Sequence, residues 1–73
     1  MTNFKTKAYG KSDLAMQYFP QAHSLHSAVN HLMSWIHLCP KLMAELEEMG
    51  YKKTSKFFTP KQVALIVEYL GEP

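Results

Sequence analysis

Five side chains able to bind a metal crowd into one short stretch: His23, His26, His31, His37 and Cys39. Zinc needs three or four such groups converging tetrahedrally. At about 100° per residue, His26, Asn30 and His37 fall on one flank of a 26–38 helix and His31 on the other. No two histidines are four apart, the spacing at which one helix clamps an ion most readily. The expectation is structural or surface histidines, with no metal and no cofactor. Cys39 becomes a nucleophile only with a base held beside it. His37 lies two residues away at a helix end, so the expectation is a half-buried structural thiol. Gly10-Lys11-Ser12 has the look of the tail of a phosphate-binding loop. The full pattern needs a glycine five residues before Gly10, where Lys5 stands. Glu45, Glu47 and Glu48 crowd one helix without the apolar surroundings that retune a carboxylate, which reads as a solvated face. No nucleophile–base pair, carboxylate pair or ligand set emerges, so the sequence argues against an enzyme.

The lysines carry more information. Residues 1–11 hold Lys5, Lys7 and Lys11 with no acid, and residues 51–61 hold Lys52, Lys53, Lys56 and Lys61, again with no acid. The net charge of +2 hides these two basic segments. If residues 4–9 and 52–58 pair as strands, seven of the eight lysines gather on one side, with Tyr9, Tyr51 and Phe57 among them. Phosphates attract such a cluster and rings stack on bases, so the pattern resembles a nucleic-acid footprint. The competing reading is a solvated sheet edge, on which lysines oppose aggregation. Met16, Met33, Met43 and Met49 sit at helical spacing with Trp35, and read as core filling or as a partner-binding groove.

The elements that must position these groups are short. Gly10, Pro20, Pro40, Gly50, Pro60 and Gly71 punctuate the chain about every ten residues. Thr59 with Gln62 makes a capping box, Pro60 takes the first helical position, and Phe58 with Val63 makes a hydrophobic staple. Val63, Ile66, Val67 and Leu70 complete an apolar stripe that Gly71 closes, which predicts a helix over 60–70. A second helix is expected from Pro40 to Met49, with Leu42, Leu46 and Met49 inward and Gly50 as its cap. A third runs from about His26 to Leu38, and a short first helix covers Asp13–Tyr18 behind a Ser12 cap. Phe4–Tyr9 and Lys52–Phe58 are rich in strand formers and can make a small two-stranded sheet.

Seventy-three residues make one domain, 1–73, with a thin core. A hydrophobic share of 47% with low net charge excludes a disordered chain. A single cysteine excludes an internal disulfide and fits a reducing compartment, here the cytoplasm. No apolar run approaches the roughly 18 residues of a membrane span. No apolar segment follows the charges of Met1–Lys7, so no secretory leader is expected.

Tyr9-Gly10-Lys11-Ser12-Asp13-Leu14-Ala15, Tyr18-Phe19-Pro20, Trp35-Ile36, Gly50-Tyr51 and the run from Phe58 to Pro73 resemble a family of short uncharacterised proteins of Bacteroides-type gut bacteria. The resemblance covers nearly the whole chain. It implies a bacterial intracellular protein and brings no activity or catalytic residue. Ser12-Asp13-Leu14-Ala15, Tyr18 and the 26–38 helix also resemble, more loosely, a helix-turn-helix whose second helix would read the major groove. That helix would present His26, Ser27, Asn30, His31, Ser34 and His37, and Asn30 suits adenine. The chain departs from such readers in having no arginine and no lysine between residues 12 and 40.

The sequence reading is thus a mainly α, four-helix, helix-turn-helix-like domain with a short two-stranded sheet. Leu14, Tyr18, Val29, Leu32, Ile36, Leu46, Val63, Ile66 and Leu70 are its expected core. Its expected role is DNA binding or regulation through Lys5, Lys7, Lys11, Asn30, His37, Lys52, Lys53, Lys56 and Lys61. The alternative is a protein-interaction adaptor that binds no nucleic acid. The partner is nucleic acid or protein, with neither membrane nor metal expected.

Overall fold

The computed structural model describes residues 4–73. Met1–Asn3, part of the stretch read above for a leader, lie outside the described residues. Strand β1 (Tyr9–Gly10) leads into helix α1 (Lys11–Tyr18). Then come α2 (Leu25–His37), α3 (Pro40–Glu48), strand β2 (Phe57–Phe58) and α4 (Pro60–Leu70). The described chain is therefore mainly α, four helices beside one small antiparallel sheet, as the sequence predicts.

The best-specified region is the joint of α3 and α4. The Thr59 hydroxyl accepts from the Gln62 backbone N–H at 3.2 Å, and Gln62 Oε1 accepts from the Thr59 N–H at 2.9 Å. The capping box thus forms as read, and α4 has the predicted bounds. Gln62 also does something the motif does not announce. It is only 3% exposed, and its Nε2 donates to the Met49 carbonyl at 3.4 Å, so the cap of α4 also ties down the end of α3. That end is a Schellman turn: the Tyr51 N–H donates to the Leu46 carbonyl and the Gly50 N–H to that of Glu47, each at 3.0 Å. The turn needs a left-handed residue, and Gly50 supplies it at φ +91°. Met49 is the C-cap and 43% exposed, not the third inward residue of α3. With the helix ended at Glu48, position 49 no longer continues the inward stripe.

Two further expectations change. First, α1 starts at Lys11 with Gly10 as its N-cap, not at Asp13 behind Ser12. The Lys11 N–H, an orphan donor in a free helix start, is taken by the Lys56 carbonyl at 2.8 Å, so the sheet sets the boundary. Second, the strands shrink to two residues each, paired Tyr9 with Phe58 and Gly10 with Phe57. The Tyr9 hydroxyl donates to the Lys5 carbonyl at 2.8 Å, and the Phe4 ring stacks on Tyr9 at 5.4 Å. Four extended residues span about 13 Å, so these contacts require residues 4–9 to curl back. On the other side, Ser55 bonds the backbone of Lys52 in both directions, at 3.0 and 2.9 Å, and makes a turn of 52–55.

α2 begins one residue early, at Leu25, because Ser24 caps it through the Ser27 N–H at 3.1 Å. Leu14, Leu32, Ile36, Leu46, Val63 and Ile66 are fully buried, as expected, and Leu42 and Phe58 join them. Tyr18, Val29 and Leu70 pack against this core but stay half-buried. Tyr18 is held at the surface by the bond from its hydroxyl to the Gly71 carbonyl, which ties the end of α1 to the end of α4. Among the described residues, no helix is long and apolar enough to cross a membrane.

Candidate nucleic-acid interface

The pairing of β1 with β2 decides where the lysines go. The bond between Lys11 and Lys56 sets these two residues side by side. Lys52 and Lys53 ride on the Ser55 turn, and Lys61 stands in the first turn of α4. Lys5 and Lys7 lie on the curled segment ahead of β1, where the Lys7 ammonium sits over the Tyr9 ring at 5.3 Å. Lys5, Lys7, Lys52, Lys53, Lys56 and Lys61 are exposed and Lys11 is half-buried.

Between α2, α3 and the start of the Ser55 turn runs a groove of about 410 Å³. Lys11, Asn30, His37 and Lys53, four of the nine predicted site residues, line it together. The remaining five, Lys5, Lys7, Lys52, Lys56 and Lys61, do not. The groove also takes in Tyr51, one of the rings read among the lysines, and Val29, Met33, Met43 and Glu47, which the charge pattern does not single out. A signal for part of this did exist. Val29, Met33 and His37 are four apart along α2 and so share one stripe, with Asn30 beside it. The Schellman turn brings Tyr51 in from the other side, 5% exposed, with its hydroxyl on the Met33 sulfur at 3.6 Å. The Lys11 ammonium lies over the Tyr51 ring at 5.2 Å, a cation–π contact that holds the lysine at the groove.

The rings do not behave as one stacking platform. Tyr51 stacks on Phe58 at 5.4 Å and carries Lys11, while Tyr9 stacks on Phe4 and carries Lys7. Of the three rings read as base-stacking surfaces, Phe57 alone is widely open, at 70% exposure. The alternation of β2 explains this: Phe58 points into the core and Phe57 away from it.

The histidine cluster disperses. His23, His26, His31 and His37 are all exposed, and the His31 ring packs on Phe19 at 5.3 Å. Among the described residues, no three of His, Cys, Asp and Glu converge into a metal-holding group. Cys39 is half-buried as the N-cap residue of α3. Away from the groove, Trp35 meets Phe19 edge-on at 4.8 Å and Tyr18 at 6.4 Å. Burial, with a smaller contribution from the Glu72 charge, pushes the Tyr18 hydroxyl from 10.0 up to about 12. Tyr69 is raised as well, chiefly because its hydroxyl donates to the Glu45 carboxylate.

No curated protein and no solved structure matches the chain. A family model does, over residues 5–73, and its description is a domain of unknown function, DUF4248. The chain belongs to that uncharacterised family.

Proposed function

We propose that this protein is a small, non-enzymatic DNA-binding protein of the bacterial cytoplasm. The observation that carries the reading is the groove in which Lys11 and Lys53 meet Asn30 and His37, with Lys56 bonded beside Lys11. Lysines supply phosphate attraction, and side chains such as Asn30 supply hydrogen bonds to base edges. The succession of α1, a connection over 19–24 and α2 supports the helix-turn-helix likeness in order. The connection is longer than the three to four residues such turns use. The groove, more than the motif, supports the reading.

Binding of a labelled random duplex, followed by fluorescence anisotropy over a range of salt, tests it. The affinity falls as salt rises. Changing Lys52, Lys53 and Lys56 to Gln weakens binding and lowers the log–log salt slope by about 0.9 for each phosphate no longer neutralised. Absence of binding to duplex and single-stranded DNA alike at about 50 mM salt, where phosphate attraction is least screened, removes the reading.

One observation favours the adaptor alternative. Leu38 is 79% exposed and Trp35 42%, both at the C-terminal end of α2. A partner covering that end would protect Trp35 fluorescence from quencher, and the three Lys-to-Gln changes would leave capture intact.

A further inference from the structure

We infer that the groove between α2 and α3 receives an unpaired nucleobase, so that the protein prefers single-stranded nucleic acid to duplex. The inference rests on the DNA-binding reading and deepens it. A helix that reads duplex DNA must project into the major groove, with its reading side chains on a convex face. Here Asn30 and His37, the predicted readers, line the wall of a concavity. A concave wall cannot enter a duplex groove, so a base must leave its stack and come to it.

The interior suits such a guest. Its volume, about 410 Å³, falls within the range of small-ligand sites. Val29, Met33 and Met43 offer half-buried apolar surface for a base face. Methionine is polarizable and makes favourable contacts with flat rings. Asn30 offers both a donor and an acceptor to a base edge, and the Glu47 carboxylate accepts from an exocyclic amino group. Lys11 and Lys53 supply the charge for the phosphates on either side of the base. Glu47 repels those phosphates, which favours a pose with the base, not the backbone, toward α3. The Tyr51 ring is already taken by Phe58 and Lys11, so insertion among methionines, not stacking on tyrosine, is the mode available.

The test compares three labelled probes of about twelve nucleotides at about 50 mM salt: a mixed-sequence single strand, its duplex, and an abasic single strand. The abasic probe keeps the phosphates and removes what the groove would hold. The base-bearing strand is expected to bind at least about fivefold more tightly than either of the others, the lower end of what one held base contributes. Asn30→Trp fills the groove from an exposed position and is expected to bring the single strand down to the abasic level. Asn30→Ala, which risks the fold less, is expected to lower single-strand affinity and leave the abasic affinity unchanged. Duplex binding as tight as single-strand binding overturns the inference and leaves DNA binding standing. So does an abasic strand that binds as well as the base-bearing one. If none of the probes binds, the DNA-binding reading fails and the inference falls with it.

Discussion

The joint of α3 and α4 and the groove between α2 and α3 share a boundary at Gly50–Tyr51, yet they are built on opposite rules. In the joint, polar atoms turn inward and find partners: Gln62 bonds Thr59 and Met49, and no buried side-chain nitrogen or oxygen among the described residues lacks a partner. In the groove, Asn30, His37 and Lys53 are exposed, over half-buried methionines and a valine. A paired, enclosed polar network holds one geometry. Open polar groups above an apolar floor hold none by themselves and gain most from an arriving partner. The contrast teaches that the same group, a side-chain amide, serves the fold at Gln62 and remains available to a ligand at Asn30.

The sharpest way to break this division is to cut each side. Ile66 is fully buried, and Ile66→Ala is expected to cost roughly 2–5 kcal/mol in urea unfolding. For a domain this small that is a large part of the total. Lys53→Gln is expected to leave stability within about 0.5 kcal/mol while weakening nucleic-acid binding. An Ile66→Ala loss under about 1 kcal/mol, or a Lys53→Gln loss well above it, would show that the two regions are not separate in this way.

A change at the boundary sharpens the comparison further. Gly50 lies at φ +91° with nothing within 4 Å of where a Cβ would stand, so its role is conformational and not steric. Gly50→Ala is expected to cost about 1–2 kcal/mol, the penalty of a left-handed residue with a Cβ. The Schellman turn delivers Tyr51 to the groove, so the same substitution should disturb the Lys11–Tyr51 contact. Two-dimensional NMR would follow the Met33 and Met43 methyl signals. Stability lost without any movement of those signals would mean that the turn does not position the groove.

The joint was legible in the sequence because its determinants are local. Thr59, Pro60 and Gln62 announce a helix start within four residues, and Gly50 announces a helix end by itself. The groove was legible only in part because its walls come from residues far apart in the chain. Lys11 and Lys53 reach it through a two-residue sheet whose register no local pattern specifies. The strand formers of residues 4–9 pointed to a longer strand, but the Tyr9 hydroxyl and the Phe4 ring stabilise a curl instead. Asn30 and His37 were visible as an outward helix flank; that the flank lies in a concavity depends on where α3 packs. The buried role of Gln62 was half visible, as a capping residue, while its reach to Met49 was not.

The smallest expected effect separates the tie at the two helix ends from both regions. The Tyr18 hydroxyl donates to the Gly71 carbonyl and lies outside the groove. At neutral pH, Tyr18→Phe should remove one hydrogen bond worth about 0.5–1.5 kcal/mol and leave nucleic-acid affinity unchanged. Its signature is alkaline. The folded hydroxyl holds its proton up to about 12, whereas the unfolded chain releases it near 10.0. Between these values the folded state binds a proton that the unfolded state has lost, so stability declines as pH rises through that window. Tyr69, raised by its bond to Glu45, adds a decline of the same sign. Urea midpoints at pH about 9 and about 11 should therefore fall in the wild type and fall less in Tyr18→Phe, with the Tyr69 part remaining. An equal alkaline loss in both proteins would mean that Tyr18 titrates alike in the folded and unfolded chains, and that its hydroxyl is not buried between the end of α1 and the end of α4.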